Sequence, residues 1–459
     1  MSDNSLFIER STIKAGEHES HRRMLRVLST LDQACEIEKR RQFINWEDAR
    51  TKAARLKQYT LENLPDLLQA YEQKVSERGG RVLWARDAHE AQRHLVAIAT
   101  RHHATKVVKA KSTTTEEVQC TEVLTRAGVE VCETEVGEFV VQLADEKPSH
   151  LVASCLHKSK EEVAQLFHEK LGTALTDTVQ DLTLTARRHL RPKFSGADIG
   201  ISGANFLIAD EGVAVVVENE GNARLCMSCP PVHVVIAGIE KVLPRLADLD
   251  LFLPLLAVSA SGQHMTTYAS LVRGARQAEE LDGPQAFYVI LLDNGRSRLY
   301  AEDAFRDALK CIRCGACLNV CPVYKTIGGQ GYGTTYQGPI GAVITPHMKG
   351  VGAWNHLSFA STLCGACGDV CPLKIPLPEM LLMNRVYTQL VGKGGWFWGL
   401  GIKAWSFLFK SGRRVAHYHT LVRWGVNLVR RLVPGARREL LPRLAEKTFS
   451  DWWNKHGKP

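Results

Sequence analysis

The sequence predicts an α/β domain, followed by a mainly α-helical cysteine-rich domain and a helical, basic tail. Strand-like and helix-like segments alternate over the first 300 residues, which is typical of a mostly parallel sheet covered by helices on both faces. Two cysteine runs with similar spacing lie between residues 311 and 372, and positive charge and tryptophan are concentrated after residue 390. We therefore expect a helical arm (1–60), the α/β domain (61–300), the cysteine-rich domain (301–390) and the tail (391–459).

Length and composition describe an ordinary soluble protein whose charge is unevenly placed. The chain has 459 residues, of which 45% are hydrophobic and 23% charged. The net charge is +9, but residues 391–459 hold 14 Lys and Arg against 3 Asp and Glu, a balance of +11 that leaves −2 for the rest. A nearly neutral body with a basic tail gives no reason to expect nucleic-acid binding. The first residues lack the apolar core of a secretory signal, so a cytoplasmic location is expected.

The first 60 residues predict helix. They are rich in Arg, Lys and Glu, and they place Leu25, Leu28 and Leu31 on one helical face. Two interpretations stay open for this segment: an arm or docking helix, or a solvated helical extension.

Residues 61–300 show the alternation on which the α/β prediction rests. A helix over 61–77 ends at Gly79 and Gly80, and Asp87 and Ser112 are placed to cap later helices. The turn Asp210-Glu211-Gly212 predicts a hairpin between two apolar strands. Further strands are predicted at 81–85, 106–110, 128–132, 152–156, 232–239 and 286–293. Neither G-x-G-x-x-G opening a helix nor a P-loop motif occurs, so simple dinucleotide- or nucleotide-binding functions lack support.

The two cysteine runs have the spacing of iron–sulfur motifs. The first reads C-x2-C-x2-C-x3-C-P from Cys311 to Pro322, as in bacterial ferredoxins, and the second repeats it from Ser361 to Pro372 with serine at its first position. In two-cluster ferredoxins the fourth cysteine of each run binds the other run's cluster. The predicted ligands are therefore Cys311, Cys314, Cys317 and Cys371 for a first [4Fe–4S] cluster, and Cys321, Cys364 and Cys367 for a second.

The second cluster lacks one ligand in its motif. Ser361 oxygen, a distant cysteine or a partner ligand could complete a [4Fe–4S] cluster, and an empty corner would leave a [3Fe–4S] cluster. A structural zinc ribbon is the main alternative, but zinc needs four cysteines and not seven in this spacing. Disulfides are less favoured, because cysteines this close in sequence suit metals better.

Beyond these runs, the chain resembles the iron–sulfur subunit of the bacterial L-lactate utilisation system, and its N-terminal part resembles that family's LUD domain. The resemblance covers roughly residues 45–385. It is carried by Lys109–Ser112, Thr115–Glu117, Gly137–Phe139, Pro148–His150, Gly200–Phe206, Asn219–Arg224, Pro231–His233, Gly238–Lys241, Gly331–Gly333 and Tyr336–Val343.

The resemblance implies both fold and function. The LUD domain is similar to the ribose-phosphate isomerase and CoA-transferase group, and the cysteine runs would form a two-cluster, ferredoxin-like domain. The implied function is electron transfer in a complex that oxidises L-lactate to pyruvate. The implied partners are a cysteine-rich-repeat subunit and a stand-alone LUD subunit. The chain would be a component of the complex rather than its catalytic subunit, and no catalytic residue is assigned.

Two other functions stay open. The LUD domain could itself act on a small acid or thioester, with the clusters structural or sensory, and Glu218 or Glu220 would then be the candidate nucleophile. Alternatively, the chain could relay electrons from another 2-hydroxy acid.

Several residues of the α/β domain are further candidates. One polar group could line a carboxylate pocket or form a buried structural network: Glu220, Asn222, Arg224 and His233. Lys109, Lys111 and Ser112 could hold an anion where a helix begins, although capping alone explains Ser112. Cys226 and Cys229 could supply the missing ligand or a redox dithiol, and two inert thiols are favoured.

Two segments flank the cysteine motifs. Residues 328–341 are rich in Gly and Tyr and are predicted to wrap between the cluster halves, bringing backbone N–H groups near sulfur. The tail holds six of the nine tryptophans, and its apolar run over 396–409 is shorter than the ~20 residues needed to span a bilayer. The tail is expected to dock on a partner, pack on the core, or contact the inner membrane surface.

Overall fold

The computed structural model describes residues 3–146, 148, 150, 154–176, 178–391, 396–432 and 445–457. These residues form two compact units, which comprise residues 1–386 and 387–459. The larger unit contains the α/β domain, the N-terminal helices and both cysteine runs.

Within the described residues, ten strands form two sheets. In chain order the strands are β1 (Arg81–Ala85), β2 (Lys106–Lys109), β3 (Glu130–Glu133), β4 (Ile199–Ser202), β5 (Phe206–Ile208), β6 (Val213–Glu218), β7 (Val232–Gly238), β8 (Val242–Leu243), β9 (Tyr268–Val272) and β10 (Ala286–Leu292). The first sheet has the order β1-β10-β7-β4-β2-β3, and all its pairs are parallel. The second has the order β8-β5-β6-β9, in which β5 and β6 are antiparallel and form the predicted hairpin.

The helices surround these sheets and continue beyond them. In chain order they are α1 (Asp3–Gly16), α2 (His18–Gln42), α3 (Trp46–Glu62), α4 (Leu64–Glu77), α5 (Ala88–Arg101), α6 (Thr113–Glu117), α7 (Cys120–Arg126), α8 (Val136–Leu143), α9 (Lys160–Leu171), α10 (Val179–Ser195), α11 (Asn222–Ser228), α12 (Leu249–Ser261), α13 (Arg296–Ala301), α14 (Asp303–Arg306), α15 (Ala316–Asn319), α16 (Pro322–Tyr332), α17 (Gly338–Lys349), α18 (Val351–Trp354), α19 (His356–Phe359), α20 (Ala366–Asp369), α21 (Leu377–Leu390), α22 (Trp396–Phe409), α23 (Gly412–Leu432) and α24 (Phe449–His456). Short 3₁₀ helices cover Ile239–Lys241, Leu246–Asp248 and Asp307–Lys310.

The parallel sheet is buried on both faces, as the sequence predicted. Along β7, Val234 and Ile236 pack with α5 and α7, whereas Val235 and Ala237 pack with α4 and the second sheet. Because both faces are covered, the central strands β10, β7, β4 and β2 meet solvent only near their ends. The loops that follow the strands therefore gather at the carboxyl edge of the sheet, where α/β proteins commonly bind ligands.

Local predictions were mostly confirmed. The Asp87 carboxylate accepts a hydrogen bond from the Glu90 N–H at 2.8 Å and caps α5. The helix predicted over 61–77 is interrupted, because Pro65 at the start of α4 cannot continue the hydrogen bonds of α3. Of the strand predicted at 152–156, residues 152 and 153 lie outside the described part of the chain and residues 154–156 form a turn.

The N-terminal helices pack against the rest of the larger unit. Helix α1 contacts α16, α2 contacts α12 and α16, and α3 contacts α12 and the 3₁₀ helix that precedes Cys311. Leu28 on the predicted apolar face of α2 is fully buried. This arm therefore touches both the α/β domain and the cysteine-rich segment.

The smaller unit consists of helices with many exposed apolar side chains. Helices α22 and α23 pack against each other. Their exposed large apolar residues are Leu400, Ile402, Trp405, Phe407, Phe409, Tyr418, Leu421, Trp424 and Leu428. None of the helices in the described ranges is long and apolar enough to cross a membrane.

Candidate functional site

The two cysteine runs fold alike. Arg313 and Leu363, each directly before the second position of its motif, have left-handed φ values of 60° and 54°. Gly315 and Gly365 follow with φ values of 84° and 93°, which glycine adopts without strain, and lead into the short helices α15 and α20. The sequence repeat is therefore a structural repeat.

The structure brings Cys311, Cys314, Cys317 and Cys371 together, and we call them the first cysteine group. Burial raises the pKa of Cys314 and Cys317, and the neighbouring Cys311 and Cys371 charges raise both further. Burial also raises the pKa of Cys371 to about 11, and Cys311 again adds to the shift. Cys371, from the second run, thus lies among the cysteines of the first.

Cys321, Cys364 and Cys367 form the second cysteine group. They line one small cavity together with Ser361. Burial raises the pKa of Cys367 to about 12, and the Cys321 and Cys364 charges raise it further. Cys364 is exposed, whereas Cys367 is buried. The two runs therefore exchange their fourth cysteines, which is the arrangement that the ferredoxin spacing predicts.

Ser361 occupies the place in the second run that Cys311 has in the first. The Cys311 sulfur accepts a hydrogen bond from the Arg313 N–H at 3.4 Å, and the Ser361 hydroxyl oxygen accepts one from the Leu363 N–H at 3.2 Å. The serine side chain thus faces the second group in the orientation of a ligand.

The donor groups around the sulfurs fit iron–sulfur clusters. The Tyr324 N–H donates to the Cys321 sulfur and the Ile375 N–H to the Cys371 sulfur, each at 3.5 Å. Such hydrogen bonds stabilise thiolates and tune cluster potential. Across the described ranges, the two cysteine groups included, no three His, Cys, Asp or Glu side chains lie close enough together to be recognised as a site for a single metal ion.

The Gly/Tyr-rich segment lies against both cysteine groups. Burial raises the pKa of Cys321, while hydrogen bonds from the backbone and from the Tyr332 hydroxyl lower it. Burial likewise raises the pKa of Cys317, and a hydrogen bond from the Ile340 N–H opposes the increase. At Gly341, a Cβ atom would lie 2.1 Å from the Tyr336 carbonyl oxygen, so the close approach of this segment requires glycine.

Four basic side chains surround the first cysteine group. Arg50 of α3 donates to the carbonyl oxygens of Cys371 at 2.9 Å and Gly368 at 3.3 Å. Burial lowers the pKa of Lys57 to about 7 and of Lys241 to about 8, and in both cases the Cys311 charge acts against the shift. The fourth, described next, is Arg313.

A buried ionic network joins this group to the α/β domain. Arg296 binds Glu117 through two nitrogens, at 2.9 and 2.8 Å, and Glu240 through its Nε at 2.5 Å. Glu240 lies 3.6 Å from Arg313, whose guanidinium stacks on the Tyr336 ring at 4.4 Å. The network fixes the first motif to the end of β7.

Comparison with known proteins agrees with this architecture. Residues 68–292 match the family model of the LUD domain, and residues 307–375 match that of the 4Fe-4S dicluster domain. Lactate utilization protein B of Bacillus cytotoxicus is 40% identical over 426 residues, which are 90% of this chain and 89% of that relative. The protein of the same name from a Geobacillus strain is 42% identical over 380 residues, 81% of this chain and 80% of that one. The chain belongs to the lactate utilization protein B family. The predicted resemblance, and the α/β LUD domain with a following ferredoxin-type domain, are thereby confirmed.

Two further likenesses complete the comparison. The uncharacterized electron transport protein YkgF of Escherichia coli K12 is 43% identical over 341 residues, 74% of this chain and 72% of that one. A crystal structure of a DUF162 family protein from Deinococcus radiodurans covers 50% of this chain and 98% of its own, at 12% identity and a TM-score of 0.28. At that TM-score the structural likeness supports no conclusion.

In this member of the family, a cavity with both polar and apolar lining residues lies at the carboxyl edge of the parallel sheet. We call it the edge cavity; its volume is about 370 Å³. Loops after β2, β3, β4 and β7 form one wall, and β6, α12 and the first cysteine motif form the other. Its charged lining residues are Lys111, Glu135, Glu218, Glu220, Lys241 and Arg313.

The structure brings together some of the predicted polar candidates and separates others. Glu220, Asn222, Lys111 and Ser112 all line the edge cavity, and Ser112 also caps α6. Three others lie elsewhere. Arg224 stacks on Tyr268, His233 is fully buried and hydrogen-bonded to Ser202, and Lys109 is buried against Glu133 at 2.7 Å. The prediction that Glu220, Asn222, Arg224 and His233 form one polar group is therefore wrong. The His233 side chain is buried within the sheet, and Arg224 stacks on Tyr268 away from the cavity.

The two cysteines of the third C-x2-C pair, Cys226 and Cys229, lie in different surroundings. Cys226 is fully buried in the core formed by α8 to α11, 3.3 Å from the Thr134 hydroxyl, whereas Cys229 is exposed. Burial raises the pKa of Cys226. These features match the inert interpretation of Cys226.

Sequence reasoning missed the basic residues around the first cysteine group. Arg50 and Lys57 lie seven residues apart on the buried face of α3, between Ala49, Ala53 and Leu61. Two basic residues within an otherwise apolar stripe of a helix indicate that these basic side chains have buried hydrogen-bond or ionic partners.

Proposed function

We propose that this chain is the electron-transfer iron–sulfur subunit of a complex that oxidises L-lactate to pyruvate. The observation that carries the proposal is the grouping of seven motif cysteines in one compact unit with the LUD domain. The names of its relatives, lactate utilization protein B and an electron transport protein, agree with this function. When bound, each cluster would take up and release one electron at a time.

The proposed ligands follow the exchanged grouping. Cys311, Cys314, Cys317 and Cys371 would hold the first [4Fe–4S] cluster. Cys321, Cys364 and Cys367 would hold the second, with Ser361 as the candidate for the fourth position. The alternatives for that position are a [3Fe–4S] cluster or a ligand from outside the motif.

Residues of this chain would place positive charge and N–H donors beside the clusters. Arg50, Lys57 and Arg313 lie beside the first group, where positive charge favours an additional electron. Backbone N–H groups that donate to the cysteine sulfurs also favour an additional electron, at the first and at the second cysteine group.

The rival function, with the LUD domain as a catalyst, has less support. Both Glu218 oxygens accept backbone N–H groups at the start of α11, from Ala223 at 2.7 Å and Arg224 at 2.8 Å. A carboxylate engaged in this way is a poor nucleophile. Glu220 lines the edge cavity, and its carboxylate accepts a hydrogen bond from the Val136 N–H at 3.2 Å at the start of α8, so it is engaged in a similar way.

The proposed partners are the two companion subunits of the lactate utilisation system. The tail is the proposed docking element, because α22 and α23 expose apolar side chains and carry Arg and Lys. Contact with a membrane surface is the competing role of the same helices. Deleting residues from 394 onward should leave both clusters intact, because no motif cysteine lies beyond Cys371. It should abolish co-purification with the companion subunits.

Anaerobic reduction by L-lactate tests the main proposal. The reconstituted complex should show lactate-dependent bleaching of the iron–sulfur absorbance, and this chain alone should show none. Replacing this chain by its Cys314→Ala, Cys367→Ala double variant should stop electron flow through the complex. Lactate turnover by the isolated chain without any redox change would instead support the catalytic LUD domain.

A further inference from the structure

The second cysteine group has a side-chain hydrogen-bond donor that lies outside the cysteine motif. The Tyr332 hydroxyl donates a hydrogen bond to the Cys321 sulfur. Further hydrogen bonds to motif sulfurs come from backbone N–H groups, for example those of Arg313, Tyr324 and Ile375. A backbone donor is present whatever residue stands at its position, whereas a hydroxyl donor depends on one side chain. Tyr332 is therefore a residue through which the sequence outside the motif acts on a cysteine of the second group.

Two glycines place Tyr332 at the end of α16. Gly328 interrupts the helix with a φ of 63° and a ψ of 177°, and Gly333 ends it with a φ of 65°. Both φ values lie in the region that glycine adopts without strain. The local sequence thus turns the last residue of α16 back toward Cys321, which begins the same helix as its N-cap.

The Tyr332 side chain lies at the dry end of the second group. It is 3% exposed, and its ring packs edge-on against Phe7 of α1 at 6.4 Å and against Tyr324 at 6.0 Å, between ring centroids. Cys364, at the other end of the group, is exposed. Water therefore has little access to the place of the Tyr332 hydroxyl, and a hydrogen bond in such surroundings is electrostatically stronger than one in water.

A donor at a cluster sulfur favours the reduced state. An added electron increases the negative charge on the sulfurs, so a hydrogen bond stabilises the reduced cluster more than the oxidised one and raises its potential. The proton stays on the tyrosine oxygen throughout, so the step adds one electron and moves no proton. At the first group, Arg50 and Lys57 supply favourable charge instead.

We propose that Tyr332 is a positioning residue for electron transfer, whose hydroxyl acts through Cys321 to raise the reduction potential of the second cluster relative to the first. The inference rests on the proposed ligands of the second cluster and is independent of which molecule donates the electrons. Without the hydroxyl, a single electron shared by the two clusters would shift toward the first.

An anaerobic redox titration with dithionite, followed by EPR, tests this inference on the full, cluster-containing chain. Tyr332→Phe keeps the ring and removes the hydroxyl. It should make one-electron reduction of the second cluster about tenfold less favourable, which is a decrease of about 59 mV in its potential. The potential of the first cluster and the iron content should stay as in the native chain.

Tyr324→Phe is the matched control. Tyr324 is a fully buried tyrosine of the same helix, but its hydroxyl donates to the Gln337 side chain at 3.5 Å. Its backbone N–H, which donates to Cys321, remains in the variant. Tyr324→Phe should therefore leave the potential of the second cluster unchanged. An equal decrease in both variants would show that general packing, rather than the Tyr332 hydrogen bond, sets the potential, and would overturn the inference.

Pulsed EPR in D₂O observes the hydrogen bond itself. After brief exchange, which labels hydroxyls before the N–H groups of a buried helix, the native chain should show a deuteron strongly coupled to the second cluster. Tyr332→Phe should lose this signal, and Tyr324→Phe should keep it. If Tyr332→Phe fails to assemble the second cluster, the native chain still decides, because the absence of a coupled deuteron there overturns the inference.

The remaining outcomes separate this inference from the proposed function. An unchanged second potential in Tyr332→Phe, a shift of the first potential instead, or a native chain without a second EPR signal would overturn the inference. If the second potential falls as expected but L-lactate does not reduce the clusters of the complex, the role of Tyr332 stands and the proposed function fails. If L-lactate reduces them and Tyr332→Phe keeps the native potential, only the role of Tyr332 fails.

Discussion

The first and second cysteine groups share one backbone motif but lie in different surroundings. Both have the same left-handed residues before the second ligand and the same short helix after it. The first group is largely buried and has Arg50, Lys57 and Lys241 nearby. In the second, Cys364 is exposed and a serine replaces one cysteine.

This difference separates what the motif determines from what the rest of the chain determines. The motif sets which cysteines meet. The surrounding residues set charge and solvent access, and these are the properties by which a protein tunes cluster potential. The cations beside the first group should favour its reduced state, and the exposed second group should be more open to oxygen and to an electron-transfer partner.

The largest expected effect comes from the cysteines themselves. Cys314→Ala and Cys371→Ala should each remove the same EPR signal, and Cys321→Ala and Cys364→Ala should each remove the other. Each variant should lose about half of the bound iron, because each of the two proposed clusters would hold about half of it. If Cys371→Ala and Cys364→Ala instead remove one common signal, the clusters are ligated within single runs and the comparison between the groups must be redrawn.

The buried ionic network beneath the first group gives the next largest effect. Arg296→Met leaves Glu117 buried without its cation and Glu240 with only the more distant Arg313, which should cost about 3–5 kcal/mol of unfolding free energy. Arg86→Met is the control, because its pair with Glu90 is exposed and should change stability by less than ~1 kcal/mol.

Anaerobic urea unfolding measures both Arg296→Met and its control. The EPR signal of the first cluster should change in Arg296→Met, because Glu240 also lies beside Arg313. The signal of the second should not. Equal disturbance of both signals would show that the network supports the whole unit rather than the first group.

Replacing Arg50 tests the effect of a single cation on the first cysteine group. Arg50→Met removes a positive charge beside Cys371 and leaves the carbonyl oxygens of Cys371 and Gly368 without their donor. The expected cost is about 1–3 kcal/mol, with a lower reduction potential of the first cluster, since the added electron loses a favourable charge. Arg55→Met on the exposed face of α3 should change neither. A redox titration in which Arg50→Met moves only the second potential would contradict the assignment.

These residues also show where sequence reasoning succeeded and where it stopped. The α/β fold followed from local alternation, whereas the assignment of the cysteines to two clusters stays a prediction from the spacing of the motif. Arg50 donates a hydrogen bond to Cys371, which is 321 residues away in the sequence. Arg296 binds Glu240, which is 56 residues away. Such long-range pairs leave no periodic pattern in the sequence. The edge cavity was only partly foreseen for the same reason, because Lys241 and Arg313 meet there only after the chain folds.

The smallest expected effect, and the sharpest test of the difference between the groups, is Ser361→Cys. The Ser361 hydroxyl already lies where Cys311 has its sulfur, with the matching hydrogen bond from Leu363, so the substitution changes the ligand atom and little else. A thiolate binds iron far more strongly than a hydroxyl, whose proton is much harder to lose at neutral pH.

Ser361→Cys should therefore lengthen the lifetime of the second cluster in air severalfold and shift its potential, without affecting the first. EPR after timed exposure to air measures both clusters in one sample. Ser195→Cys is the matched control, because this exposed serine at the end of α10 makes the same substitution away from both cysteine groups and should protect neither cluster. If Ser361→Cys leaves the lifetime unchanged, solvent access through exposed Cys364, rather than the missing thiolate, limits the second cluster. Burial, rather than the ligand atom at position 361, would then set the difference in oxygen sensitivity between the two groups.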